Sequence, residues 1–77
     1  MIWDVSWARS VDGIDIESNA DIEAESATDA VKKFMFLFPE VKWRGYKLKA
    51  EKNNTYFVFV VESETNSSWF GIKLRRI

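Results

Sequence analysis

Every second position from Asp15 to Glu25 carries an acid or an amide: Asp15, Glu17, Asn19, Asp21, Glu23 and Glu25. The positions between them, Ile14, Ile16, Ser18, Ala20, Ile22 and Ala24, are apolar or small. A period of two marks extended chain with one buried and one solvated face. Same-side residues on a strand stand roughly 6.6 to 6.8 Å apart, so the odd positions form a regular row of negative charge. A row of this kind suits the Lys and Arg side chains of a partner surface. Carboxylates are also the donors for hard cations and the pairs for acid–base work, and Asp12 with Asp15 or Glu62 with Glu64 are the closest pairings. No 12-residue Asp-x-Asp-x-Asp-Gly loop surrounds them, so turn and solvated strand are their expected roles, and no metal site is expected.

The rest of the composition closes most catalytic routes. The chain has no Cys and no His, which removes disulfides, thiolate nucleophiles, Cys-ligated zinc and the usual neutral-pH acid–base group. No Ser-x-x-Lys or Gly-x-Ser-x-Gly string is present to activate a hydroxyl, and the three Gly form no phosphate loop. The expectation is a non-enzyme with no catalytic residues and no cofactor.

Net charge is −1, but the signs are segregated. Residues 1–30 hold eight acids against Arg9, whereas residues 31–77 hold ten bases against four acids. The asymmetry points to charged interaction faces, or to an acidic hairpin lying beside a basic one within a single sheet.

These charges need elements to hold them. Trp3, Val5 and Trp7 alternate with polar residues in a first strand near 2–9, and Ser10, Asp12 and Gly13 supply a turn into the acidic strand, which is long enough to break near Ser18-Asn19. Ser26 with Asp29 resembles a capping box and starts a helix. Its packed face is Ala30, Phe34, Leu37 and Phe38, with Val31 and Met35 beside them; Lys32, Lys33 and Phe36 face solvent, and Pro39 stops the helix near Leu37.

Val41 and Trp43 then share one parity, while Tyr46, Leu48 and Ala50 share the other. A bulge at Arg44-Gly45 explains the jump. Lys52 to Thr55 is a turn, Tyr56 to Val61 is apolar on both faces and belongs mid-sheet, and Glu64 to Ser68 is a further turn. Phe70, Ile72 and Leu74 form the inner face of a last strand.

The expected fold is α+β: a single domain over 1–77, with one helix packed on one face of a four- to five-stranded, mainly antiparallel sheet in the order ββαβββ. At 77 residues the core is small, but 47% apolar and 16% aromatic content is enough to fill it. One helix covers only one face. The other is expected to carry Tyr56, Val58, Val60 and Trp69, flanked by Lys47, Lys49, Lys73 and Arg75, and to be closed by a second copy or a partner.

Two functional readings follow. Trp43-Arg44-Gly45-Tyr46-Lys47 and Trp69-Phe70-Gly71-Ile72-Lys73-Leu74-Arg75-Arg76 interleave bases with aromatics, as unpaired nucleic acid requires, and give a small nucleic-acid-binding domain using Lys47, Lys49, Trp69, Lys73 and Arg75. The preferred reading uses the acids. The segment Asp21-Ile22-Glu23-Ala24-Glu25-Ser26-Ala27-Thr28-Asp29-Ala30, followed by one amphipathic helix and a short meander, resembles the strand-cap-helix core of compact bacteriophage anti-CRISPR proteins. The likeness covers residues 14–62 in pattern.

That resemblance implies inhibition by docking on a host nucleoprotein effector complex at surfaces rich in Lys and Arg. The expected partner-binding residues are Asp15, Glu17, Asp21, Glu23 and Glu25, with Lys32, Lys33 and Phe36 as a second patch. Partners are then a host protein or nucleoprotein complex, with a homodimer as a further expectation. No apolar run approaches the ~20 residues that span a bilayer, and no basic-then-apolar leader opens the chain. No membrane partner is expected, and the expected compartment is the cytoplasm, that of the host if phage-encoded.

Overall fold

The alternation of Trp3, Val5 and Trp7 gives β1 (Ile2–Val11), and Asp12-Gly13 turns it back into β2 (Ile14–Glu23). The computed structural model describes residues 1–62 and 67–77. In it Val11 pairs with Ile14, and Asp12 and Gly13 have φ of 51° and 79°. Two central residues at positive φ make the tight turn whose twist matches a hairpin, the geometry that Asp-Gly favours. β2 runs its ten residues without the expected break at Ser18-Asn19.

Ser26 caps α1 (Ala27–Phe36): its Oγ accepts from the Asp29 N–H at 3.1 Å, and Asp29 Oδ2 accepts from the Glu25 N–H at 3.2 Å. The reciprocal bonds satisfy backbone donors that the first turn leaves unpaired. Leu37 is the C-cap, one residue before Phe38-Pro39. The buried side of the helix is Ala27, Ala30, Val31 and Phe34, with Met35 and Phe38 packed beside them. Leu37, expected on this side, is largely exposed.

β3 (Trp43–Ala50), β4 (Thr55–Glu62) and β5 (Ser67–Arg76) complete one antiparallel sheet in the order β2-β1-β5-β4-β3. The α+β class is therefore corrected to a mainly β domain. Five strands of eight to ten residues take up most of the chain, and the single ten-residue helix covers one face. The polar turn expected from Glu64 to Ser68 lies outside the described residues as far as Asn66, as does the partner in the Glu62–Glu64 pair; Ser67 and Ser68 belong to β5.

Under the helix lie Trp3, Val5, Ile22, Val58, Ile72 and Leu74. Beside them is an aromatic cluster centred on Phe34, whose ring lies 5.3 Å from Trp7, 5.4 Å from Phe38, 5.7 Å from Trp69 and 6.2 Å from Trp43. The Trp3 and Trp43 indole N–H groups donate to Ala24 O and Met35 O, each at 3.2 Å. These bonds let two large polar-tipped rings be buried without an unpaired donor. Arg9 lies over Trp69 at 4.6 Å and reaches Glu40 at 3.4 Å, closing the open end of the cluster.

Two strands change phase. In β3, Trp43 faces Glu62 while Gly45 faces Val61, so Arg44 is the extra residue of the expected bulge. In β5, Lys73 faces Ser6 and Phe70 faces Ala8, three residues against two, with Gly71 at φ 62° in between. This second bulge overturns the inner face assigned to β5. Trp69 turns toward the helix with Ile72 and Leu74, and Phe70 turns away.

The same alternation corrects β4. Val58 is buried, and Tyr56 and Val60 pack on the helix side, so Phe57, Phe59 and Val61 occupy the uncovered face in their place. Among the described residues, no helix is long and apolar enough to cross a membrane.

Candidate interaction face

The side of the sheet away from α1 is a continuous surface set by strand register. Counting across from one edge, β2 contributes Asp15, Glu17, Asn19, Asp21 and Glu23, which pair with Ser10, Ala8, Ser6, Asp4 and Ile2 of β1. β5 follows with Phe70 beside Ala8, Lys73 beside Ser6 and Arg75 beside Asp4. Phe57 of β4 stands next to Lys73, and Lys49 and Lys47 of β3 stand next to Phe57 and Phe59. Opposite residues on adjacent strands lie ~4.5 to 5.5 Å apart, so these pairings are a map of neighbours.

The map has three zones. One edge is acidic and the other is basic. Between them runs an apolar ridge of Phe57, Phe59, Val61 and Phe70, with Phe59 59% and Phe70 47% exposed, and Lys73 and Arg75 of the central strand stand beside it. Beside the ridge the small side chains of Ser6, Ala8 and Gly71 leave a shallow depression of about 600 Å³ that also touches Asp4, Glu17 and Phe70. Within it Asp4 Oδ1 is buried without a hydrogen-bond partner.

The carboxylates of the acidic edge are not consumed inside the fold. Among the described residues the ion pairs are Arg9–Glu40, Lys33–Asp29 and Lys49–Glu51, so Asp15, Glu17, Asp21 and Glu23 take part in none of them. Nor do Lys47, Lys73 and Arg75. One strand, β1, separates the β2 acids from the β5 bases, so the acidic hairpin does lie beside a basic strand, with Asp4 opposite Arg75, but the β2 carboxylates themselves are not next to it.

Three sequence assignments change here. Glu25 leaves the row, because β2 ends at Glu23 and Glu25 belongs to the helix cap. Trp69 drops out of the nucleic-acid set, since its ring is packed among Phe34, Phe38 and Trp43 on the other side of the sheet. The even positions of β2 are not a buried face throughout: Ile14 is 66% and Ile16 49% exposed, and only Ile22 is buried, because the helix reaches only that end.

The second candidate patch lies on the opposite side. Phe36 is 81% exposed, and Lys32 and Lys33 are exposed beside it, with Lys33 Nζ donating to Glu23 O at 2.8 Å. These residues are therefore not continuous with the acidic row. Phe57, Phe59, Val61 and Phe70 are the functional candidates that strand parity missed; Gly71 within a strand was the signal that would have found Phe70. Compared with protein-family models, with curated proteins and with solved structures, the chain has no match.

Proposed function

We propose that the protein is a non-enzymatic binding module that docks on a protein partner through the open sheet face. One observation carries the reading: an uncovered aromatic ridge and a row of carboxylates outside any described ion pair share one rigid surface. Exposed apolar strips of this kind mark interfaces, and charge at their rim steers and orients the encounter. The resemblance to compact anti-CRISPR proteins makes the partner a nucleoprotein effector complex whose Lys and Arg side chains meet Asp15, Glu17, Asp21 and Glu23.

A second reading has its own support, since Phe57, Phe59 and Phe70 lie beside Lys47, Lys49, Lys73 and Arg75, the materials for stacking bases and holding phosphates. It is the weaker one. Carboxylates on the same face repel a nucleic-acid backbone that crosses it. Purified CRISPR effector complexes mixed with the protein separate the two readings. The first expects co-elution and loss of target-DNA binding by the complex, both abolished by Glu17→Lys/Asp21→Lys. Retention of single-stranded oligonucleotide that falls in Lys47→Glu/Lys49→Glu, with no effector captured, would replace it with the second.

A further inference from the structure

We infer that the trough along β1 on the open face receives one arginine side chain of a protein partner, its guanidinium lying on the Phe70 ring and bonded to the Glu17 carboxylate. This rests on reading the face as a protein interface, and it adds the group that anchors there. Register sets the two walls. Glu17 of β2 and Phe70 of β5 are both opposite Ala8, one on each side of it. Neighbouring strands lie ~4.7 to 4.9 Å apart, so the wall backbones stand roughly 9 to 10 Å from each other, with only the Ala8 methyl group rising between them. Both residues line the depression of about 600 Å³, together with Ser6, Asn19 and Gly71, and a Cβ added at Gly71 would meet nothing within 4 Å. The space between the walls is open.

Charge divides the trough along its length. At one end Asp4 stands between Asp21 and Arg75, and at the next step Ser6 stands between Asn19 and Lys73, so bases share that end with the acids. At the Ala8 end, and beyond it where Ser10 stands between Asp15 and Ser68, the cross-strand neighbours include acids and no base. Glu17 and Asp15 take part in none of the described ion pairs. A cation is therefore favoured at the Ala8 end. An exposed ring beside a carboxylate suits a guanidinium better than an ammonium, because its flat face stacks on the ring while its planar fork of N–H donors meets several acceptors at once. Ser6 and Asn19, which line the same depression, supply side-chain oxygens next to Glu17. Arginine is also enriched among the residues that carry the binding energy of protein interfaces.

Titration of the pure protein with N-acetyl-arginine methylamide, followed through backbone amide NMR shifts, tests the slot. Saturable shifts are expected at Ala8, Glu17 and Gly71, with the blocked lysine equivalent binding at least about threefold more weakly. Glu17→Gln removes the charge at constant size, and Phe70→Leu removes the ring. Each is expected to weaken the arginine probe at least about threefold, while Asp21→Asn at the other end leaves it within about twofold. Amide shifts away from the trough check that these exposed substitutions leave the sheet intact. Absence of saturable shifts at the three amides, equal binding of the lysine probe, or equal losses in Asp21→Asn and Glu17→Gln would each overturn the assignment. Effector capture is read separately. Capture unchanged in Glu17→Gln/Phe70→Leu removes the slot and leaves docking, whereas arginine bound at the slot with no effector captured removes that partner and keeps the slot.

Discussion

At Gly71 one backbone angle decides what the open face presents. With φ at 62° the chain inserts an extra residue opposite β1, and the strand leaves the bulge with its sides exchanged. Trp69 and Ile72 can then both point to the helix, and Phe70 is left outside. A side chain in this conformation costs roughly 1 to 2 kcal/mol, and a Cβ placed there meets no atom within 4 Å, so the cost is in the backbone alone. Gly71→Ala is expected to lower unfolding free energy by about 1 to 2 kcal/mol in urea titration.

The residue-level pattern shows where sequence was sufficient. Asp12-Gly13, Ser26 with Asp29 and Arg44-Gly45 each name their local geometry through a turn dipeptide, a cap and a bulge, and each is found where it was read. Tyr56 to Val61 could not be read in this way, because a strand apolar on both sides carries no parity signal. Its orientation is fixed by partners across the sheet, and Gly71 had inverted the phase of one of them.

Among the elements, the helix is short and depends on its ends. Ten residues make a marginal helix without tertiary support, so the Ser26 bond to Asp29 N–H matters in proportion. Ser26→Ala is expected to cost about 1 kcal/mol, and Ser26→Asp to keep most of the stability, as measured by chemical denaturation. β2 raises the opposite issue. It is a ten-residue edge strand with Ile14 and Ile16 exposed, a ready template for pairing with another chain. Its carboxylates repel a second β2 laid alongside. Removing them with Asp15→Asn/Glu17→Gln/Asp21→Asn/Glu23→Gln is expected to raise aggregation, read by light scattering, while leaving the monomer fold unchanged.

The acidic row itself was legible, because alternation over ten residues survives any uncertainty in its ends. Which face it occupied was not, since that depends on where the helix lies, and the helix reaches only the Ile22 end of the strand.

Across the whole molecule the two faces of one sheet are separated by task, and this separation can be measured. The covered face holds the fold together: Phe34 is 1% exposed and touches the rings of Trp7, Phe38, Trp43 and Trp69. Phe34→Ala removes those contacts and leaves a cavity, at a cost of about 3 to 5 kcal/mol that is the same at any protein concentration. Phe59 is an equally large apolar residue that buries little in the single chain. Phe59→Thr keeps a strand-forming residue, and is expected to change monomer stability within about 0.5 kcal/mol. Its effect belongs to assembly. Anything that binds only the folded state raises the melting temperature by mass action, so a partner that docks on this face makes wild-type Tm rise with partner concentration. Phe59→Thr should flatten that rise, whereas Phe34→Ala should lower the whole curve and keep its slope. Calorimetry at several partner concentrations distinguishes the two, and equal slopes for wild type and Phe59→Thr would show that the ridge takes no part in docking.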